Sequence, residues 1–175
     1  MGLLLLTMGL ALLCTLQVRA TGSVNEINFN KLLGRWYPLF LASNDVGSNS
    51  AAFIHSIDMK ADHLIFYFTL RRGAECSQVP VFGYKLENNK YKLRYPGNHV
   101  LYLEDADPND YLLISTINDT HGMESKGVEL YSRHKGEALN QDIKSKFEKI
   151  YKSHGLKKEN VVDLMKIDPC SRLLE

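Results

Sequence analysis

The sequence predicts an all-β protein, an eight-stranded up-and-down antiparallel β-barrel with one C-terminal α-helix packed against its outside. Between residues 35 and 133, short runs rich in β-branched and aromatic residues alternate with turn-forming residues. After residue 138 the spacing of apolar residues changes to that of a helix. A flat sheet of eight strands would expose its edges, so the pattern favours closure into a barrel.

The eight predicted strands are 35–43, 51–60, 64–71, 78–86, 90–95, 99–104, 111–118 and 127–133. The breaks between them carry Gly, Asn, Asp and Pro, which favour tight turns. Because the connections are short, neighbouring strands are expected to pair antiparallel.

The predicted helix follows the last strand of the barrel. Its apolar face is formed by Leu139, Ile143, Phe147, Ile150 and Tyr151. Asn140 is the expected N-cap and Gly155 the expected residue after the C-terminus. Residues 159–164 are expected to form a short final strand.

The composition is that of one ordinary domain, with 45% apolar and 23% charged residues among 175. Twenty-one basic side chains nearly balance 20 acidic ones, so the chain lacks the basic excess typical of a nucleic-acid-binding protein. The mean hydropathy of −0.21 excludes a polytopic membrane protein.

Residues 1–20 are predicted to be a signal peptide, and residues 21–175 a single secreted domain. The N-terminal segment has no acidic residue and one Arg. Its apolar stretch, residues 2–16, is shorter than the roughly 20 residues that a membrane span needs, and it ends in Val18-Arg19-Ala20. We expect no membrane insertion after signal removal; the alternative is a retained N-terminal anchor.

Removing residues 1–20 leaves 155 residues with no net charge and takes away Cys14. The remaining cysteines are Cys76 and Cys170. Two cysteines in a secreted chain most simply form one disulfide, and two free thiols would be unusual in an oxidising compartment.

The alternation of side chains identifies the buried face of a strand when one face is apolar and the other is polar. It does not do so when both faces are apolar. In the fifth strand Tyr91, Leu93 and Tyr95 alternate with Lys92 and Arg94, so the apolar set is expected inside. The third and seventh strands are largely apolar on both faces. An eight-stranded barrel can be filled by its own side chains or can hold one small ligand, and composition leaves both open.

Three motifs in order resemble those of the lipocalin family. Gly34-Arg35-Trp36 stands at the entry to the first strand, and residues 130–133 read Leu-Tyr-Ser-Arg at the end of the eighth. Residues 107–111 resemble the Thr-Asp-x-x-Asn-Tyr turn, but Ala106 replaces the usual Thr and Asp110 the usual Asn. The resemblance implies that Trp36 plugs the closed end of the barrel beneath Arg133, with Gly34 and Asp107 as further structural residues.

The similarity is greatest to the branch of urinary, salivary, odorant-binding and epididymal lipocalins. The matching blocks are residues 39–44, 75–77, 127–133, 142–147 and 154–164. They run through most of the chain from residue 28 to 170. This resemblance implies an open calyx that holds a ligand and a disulfide between Cys76 and Cys170.

The resemblance also implies a set of ligand-binding residues on the inner wall. The matching positions are Ile54, Ile57, Phe66, Phe68, Val81, Leu93, Tyr95, Leu101, Ile114, Thr116 and Tyr131. Tyr131 resembles the polar anchor of the family, whose hydroxyl can bond a ligand oxygen directly or through water. The alternative for each position is that its side chain only packs against other side chains of the barrel wall and does not contact a ligand.

Glu129 joins this set because it shares a strand face with Tyr131, although the family usually has a small residue there. A carboxylate in an apolar cavity is costly unless it is paired or protonated. One hypothesis is that Glu129 reduces the cavity or recognises a polar or cationic ligand group. The other is that a local twist or bulge turns it to solvent.

The residues give no reason to expect an enzyme. The six histidines are scattered without metal-ligand spacing, and neither a Gly-x-Ser-x-Gly elbow nor a phosphate-binding loop occurs. The enzymatic lipocalin branch uses a free thiol in the calyx, and none remains here. Siderophore binding is disfavoured because Lys92 and Arg94 have outward parity. We expect no metal and no cofactor.

Asn118-Asp119-Thr120 is an N-glycosylation acceptor triplet, predicted to lie in the exposed turn between the last two barrel strands.

The resulting prediction is extracellular binding and transport of a small hydrophobic ligand, such as an odorant, a pheromone or a lipid-like molecule. The alternative is a secreted interaction protein in which the barrel is mainly a scaffold recognised by a receptor or cell surface.

Overall fold

The computed structural model describes residues 27–45, 52–61, 63–72, 75–120, 122–135, 140–167 and Cys170. The predicted signal peptide and Leu139 lie outside the described residues.

Ten strands form one antiparallel sheet in the described part of the chain. Their bounds are β1 Gly34–Arg35, β2 Tyr37–Ser43, β3 Ala52–Lys60, β4 His63–Arg72, β5 Glu75–Glu87, β6 Lys90–Leu93, β7 Asn98–Asp107, β8 Tyr111–Thr120, β9 Met123–Ser132 and β10 Val161–Asp163. The helices are α1, Gln141–Ser153, and the single turn α2, Leu164–Ile167. Short 3₁₀ turns span Phe29–Lys31 and Lys158–Asn160.

The sheet is curled, with the strand order β1-β3-β4-β5-β6-β7-β8-β9-β2-β10. One continuous segment joins its two sides, because only Trp36 separates β1, at one edge, from β2, which lies next to the edge strand β10. Gly34 and Arg35 pair with β3, and the Trp36 amide donates to the carbonyl of His55 at 2.9 Å. The next residues pair with β9.

The all-β prediction is confirmed, but the number of strands differs from eight. The predicted first strand is divided at Trp36, where the chain changes its hydrogen-bonding partner from β3 to β9. β10 pairs with β2, close to the expected position of the final strand. The predicted fifth strand is shorter than expected: β6 ends at Leu93, so Tyr95 lies in the bend that follows.

The two faces of the sheet bury two separate apolar clusters. The inner cluster includes Trp36, Phe66 and Tyr131. The outer cluster joins β8 and β9 to α1, where Phe147 and Tyr151 are buried. The sheet therefore has apolar residues on both faces, with α1 covering the outer one as predicted.

Helix α1 has the predicted ends. The Asn140 side chain accepts a hydrogen bond from the Asp142 amide at 3.0 Å and so caps the first turn. Gly155, with φ of +78°, follows the C-cap His154. This left-handed conformation favours glycine and ends the helix.

One end of the curled sheet is sealed by Trp36 and Arg133. The guanidinium carbon of Arg133 lies 3.7 Å from the centroid of the Trp36 ring, and the Trp36 side chain is fully buried. The guanidinium also donates to four backbone carbonyls, those of Lys31, Leu33, Arg35 and Pro108. The stacking that the resemblance implies is therefore present and is reinforced by hydrogen bonds.

Gly34 and Asp107 support this end of the sheet. Gly34 has φ of +99°, a conformation that other residues rarely adopt. The Asp107 carboxylate accepts from the Asn109 amide at 2.9 Å and holds the turn before β8. In the same turn the Asp110 carbonyl accepts from the Arg133 amide at 2.8 Å, which fixes the backbone of Arg133.

Cys76 and Cys170 form a disulfide with a Cα–Cα distance of 5.8 Å. Cys170 is fully buried, so the bridge attaches the end of the chain to β5. Within the described residues, no helix is long and apolar enough to cross a membrane.

Candidate ligand-binding cavity

A cavity of about 170 Å³ lies inside the curled sheet, toward the end away from Trp36. Its lining residues come from the strands β3 to β9 and the bend after β6. They are Ala52, Phe68, Leu70, Val79, Val81, Leu93, Tyr95, His99, Thr116 and Glu129. The wall is mostly apolar, with a hydroxyl, an imidazole and one carboxyl among its polar groups.

Six of the twelve predicted ligand-binding residues line this cavity: Phe68, Val81, Leu93, Tyr95, Thr116 and Glu129. The other six are at most 2% exposed and belong to the inner cluster: Ile54, Ile57, Phe66, Leu101, Ile114 and Tyr131. The interior is therefore packed near Trp36 and open farther along the strands. Ligand binding by all twelve residues remains a prediction.

The strand register explains this division. Ile57 pairs with Gly34 at the sealed end and also with Phe66. Ala52 pairs with Leu70, farther along the same two strands, where the cavity lies. Side chains near the sealed end pack against Trp36, whereas those beyond them face open space.

Four lining residues were missed by the sequence prediction: Ala52, Leu70, Val79 and His99. Leu70 continues the alternation of Phe66 and Phe68, and Val79 precedes Val81 by two residues. Extending the period of two toward the strand ends would have found both. The family motifs did not mark these positions.

Glu129 faces the cavity and is 6% exposed. The pairing of β8 with β9 is regular from Tyr111↔Ser132 to Thr120↔Met123, so no bulge turns the side chain outward. Val128 and Leu130, on either side of it, are buried in the outer cluster beneath α1. The inward orientation of Glu129 therefore follows from the regular alternation of β9.

Glu129 is held by Tyr131. The Tyr131 hydroxyl donates a hydrogen bond to Oε2 of Glu129 and accepts one from the Ile54 amide at 3.0 Å. Both functions of the hydroxyl are thus occupied within the protein, and Tyr131 does not itself line the cavity. The polar group of this strand that reaches the cavity is the Glu129 carboxyl.

Burial raises the pKa of Glu129 from its ordinary 4.5 to about 7, although the hydrogen bond from Tyr131 favours the charged form. Burial also raises the pKa of the Tyr131 hydroxyl, and the nearby charge of Glu129 adds to this effect. Glu129 therefore changes charge close to neutral pH while Tyr131 remains a donor.

Gly127, two residues before Glu129 on the same face of β9, has no side chain. A Cβ at Gly127 would lie only 3.0 Å from the Thr116 hydroxyl oxygen, so glycine lets β8 present this hydroxyl to the cavity. At the rim, Tyr95 is 40% exposed, and its ring centroid lies 5.4 Å from that of His99. His99 Nε2 is 2.8 Å from the Pro96 carbonyl, to which it donates.

Asn118 is not in a turn, and that part of the prediction is wrong. β8 extends through Thr120, and the pairs Asn118↔Ser125 and Thr120↔Met123 continue the ladder with β9. The Asn118 side chain is partly buried and accepts a hydrogen bond from the Thr120 hydroxyl at 3.2 Å. Glycosylation of Asn118 remains a prediction.

Comparisons with known proteins agree with this architecture. The model of the lipocalin / cytosolic fatty-acid binding protein family matches residues 33–168. The chain is 32% identical over 178 residues to major urinary protein 4 of Mus musculus, covering 98% of this chain and 99% of that protein.

Solved structures of similar proteins have the same fold. An odorant binding protein, OBP1, matches with a TM-score of 0.72 at 22% identity, covering 83% of this chain and 97% of its own. The possum milk whey lipocalin trichosurin, solved with bound 4-ethylphenol, matches with a TM-score of 0.67 at 27% identity, covering 78% and 98%.

The family model covers most of the chain and includes the motifs around Trp36 and Arg133. The relatives include urinary and odorant-binding proteins, the branch that the sequence blocks predicted. The predicted resemblance is confirmed: this chain belongs to the lipocalin / cytosolic fatty-acid binding protein family.

Proposed function

We propose that this protein binds a small hydrophobic molecule in the cavity and carries it outside the cell. The observation that carries the proposal is the largely apolar cavity of about 170 Å³ between β3 and β9. Its volume is below the roughly 300–1,000 Å³ typical of sites for drug-sized ligands, so the ligand is a small molecule such as an odorant or pheromone.

The driving force is burial of apolar surface, worth about 25 cal/mol per Å². Phe68, Val81 and Leu93 supply apolar wall, and Thr116 supplies a hydroxyl that can orient a polar ligand atom. The relative trichosurin, solved with bound 4-ethylphenol, supports a ligand of this size and character. No covalent step is part of this function: the family consists of binding and transport proteins that are generally non-enzymatic.

Titration with a fluorescent apolar probe tests ligand binding. The wild type is expected to bind the probe saturably with one site per chain. Val79→Trp places a large ring in the cavity and should weaken binding at least about tenfold, because the ring occupies the ligand's space. Leu86→Trp is the matched control on β5, since Leu86 is 55% exposed and outside the cavity.

Absence of saturable binding would contradict the proposal and favour the scaffold role, in which a receptor or cell surface recognises the outside of the protein. Equal loss of affinity in both tryptophan variants would also contradict binding in this cavity.

The extracellular location is tested separately. The proposal predicts that cells expressing the full chain release a protein whose N-terminus is Thr21. A released or retained protein that still begins at residue 1 would contradict signal removal.

A further inference from the structure

One oxygen of Glu129 has no hydrogen-bond or ion-pair partner among the described residues. Oε2 accepts from Tyr131, whereas Oε1 takes part in no hydrogen bond or ion pair among the described residues. Among the described residues, every fully buried side-chain polar atom has a hydrogen-bond partner. Because Oε1 has none, it is not fully buried, and it is exposed to the cavity that Glu129 lines. The cavity wall therefore presents one acceptor oxygen to a ligand.

The hydrogen bonds around Tyr131 orient this carboxyl as an acceptor. The Ile54 amide donates to the Tyr131 hydroxyl, so the hydroxyl proton is directed at Glu129. A carboxyl that accepts from a neutral donor is favoured in its charged form. Above the Glu129 pKa of about 7, where the carboxyl is charged, a group that bonds Oε1 must be a donor, and a cationic donor forms the stronger bond.

Within the described part of the chain, no Lys or Arg forms an ion pair with Glu129. The cavity-lining residues include no Lys or Arg, and the positive charge of β9 at Lys126 is paired at the surface with Glu124 at 3.0 Å. An unpaired carboxylate in an apolar site is costly, and this cost falls when a ligand brings the opposite charge.

Among the described residues, the other titratable groups at or beside the cavity are few. Tyr95, in the bend after β6, and His99, on β7, line the cavity, whereas Tyr131 lies next to Glu129 on β9 without lining it. The lining residues contributed by β3, β4, β5 and β8 are Ala52, Phe68, Leu70, Val79, Val81 and Thr116, none of which titrates. Glu129 is thus the lining residue that carries negative charge near neutral pH.

The remaining wall suits the body of an organic cation. Phe68 and Tyr95 present aromatic rings to the same cavity as Glu129. Aromatic faces attract ammonium groups, and aliphatic walls such as Val81 and Leu93 bury a hydrocarbon chain.

We propose that the ligand of this cavity is a small protonated amine, whose ammonium group binds Oε1 of Glu129 and whose hydrocarbon body lies against the apolar wall. This inference rests on the proposed ligand-binding function and specifies the chemical class of the ligand. It assigns to Glu129 the polar recognition that the family resemblance assigned to Tyr131.

Benzylamine and benzyl alcohol form a matched pair of test ligands, because they share a ring and differ in the charge of the polar group. Binding to the full secreted chain is measured by NMR titration at about pH 8, above the Glu129 pKa of about 7. We expect benzylamine to bind at least about tenfold more tightly than benzyl alcohol.

Glu129→Gln removes the charge but keeps an oxygen that can accept from Tyr131. This variant is expected to lose the preference for benzylamine, so that its affinities for the two ligands lie within about twofold of each other. Glu124→Gln is the control, because it removes the same charge from an exposed position on the same strand. It should keep the preference.

A wild-type measurement at about pH 5.5 gives a second test that needs no variant. Protonation of Glu129 should weaken benzylamine binding and leave benzyl alcohol unaffected. Equal affinity for both ligands at pH 8, or an unchanged preference in Glu129→Gln, would overturn the inference while ligand binding stands. Failure of both ligands and of the fluorescent apolar probe to bind would overturn the proposed function and the inference together.

Discussion

The Tyr131 hydroxyl donates a hydrogen bond to the Glu129 carboxyl, two residues earlier on the same face of β9. The same hydroxyl accepts from the Ile54 amide of β3, although β3 and β9 are not neighbours in the strand order of the sheet. The Glu129 carboxyl on the cavity wall is thereby linked, through two hydrogen bonds, to the backbone of β3. The charge of Glu129 and the stability of the contact between β9 and β3 are therefore coupled at this point.

The contribution of Glu129 to the free energy of unfolding should fall as pH rises from about 4.5 to about 7. The pKa of Glu129 is about 7 in the folded protein and 4.5 in the unfolded chain. The unfolded chain therefore loses the Glu129 proton at a lower pH than the folded protein does. The cost above pH 7 is about 3 kcal/mol. Glu129→Gln should accordingly be more stable than the wild type at pH 8 and nearly equal to it below pH 4.5. Urea unfolding at both pH values measures this, and a pH-independent difference would contradict it.

Tyr131→Phe should raise the pKa of Glu129 further, because the hydrogen bond that favours the charged carboxyl is lost. It should also destabilise the protein by about 1–3 kcal/mol, since the buried Ile54 amide loses its acceptor. NMR titration of the Glu129 carboxyl carbon and urea unfolding report the two effects. Tyr95→Phe at the exposed rim is the control and should change neither.

Arg133→Lys should destabilise the protein by about 2–3 kcal/mol, although it keeps the charge. Lysine lacks the planar group that stacks on Trp36 and cannot reach all four carbonyls bound by the guanidinium. Arg94→Lys, at an exposed position, should stay within about 0.5 kcal/mol of the wild type. Equal urea midpoints for the two variants would contradict the sealing role of Arg133.

Replacing both Cys76 and Cys170 by Ser should lower the free energy of unfolding by up to about 4–5 kcal/mol. The bridge spans 94 positions and restricts a long loop of the unfolded chain. The wild type treated with a reductant should match the double variant in urea unfolding. Unchanged stability after reduction would show that the bridge contributes little.

Asn118 is expected to be glycosylated in only part of the secreted protein. The acceptor triplet is present, but the Asn118 side chain is partly buried in β8 and bonded to Thr120 once that strand has paired. Attachment must then precede pairing of β8 with β9. Mass spectrometry should find two forms in the wild type and one in Asn118→Gln; a fully modified protein would contradict the structural restriction.

The sequence by itself determined the all-β class, the approximate positions of most strands, the outer helix and the family. Alternating apolar residues, turn formers and the helical spacing before Tyr151 are local properties of the chain, and the motifs at Trp36 and Arg133 are contiguous. The inward parity of Glu129 could also be read from that of Tyr131.

Only the tertiary structure decided which inward residues pack together and which face open space. Ile114 and Thr116 have the same parity, yet the first is buried in the inner cluster and the second lines the cavity. That division depends on distance from Trp36 and on side chains contributed by strands remote in sequence. The partners of the Tyr131 hydroxyl depend likewise on contact between β9 and β3, which no local pattern encodes.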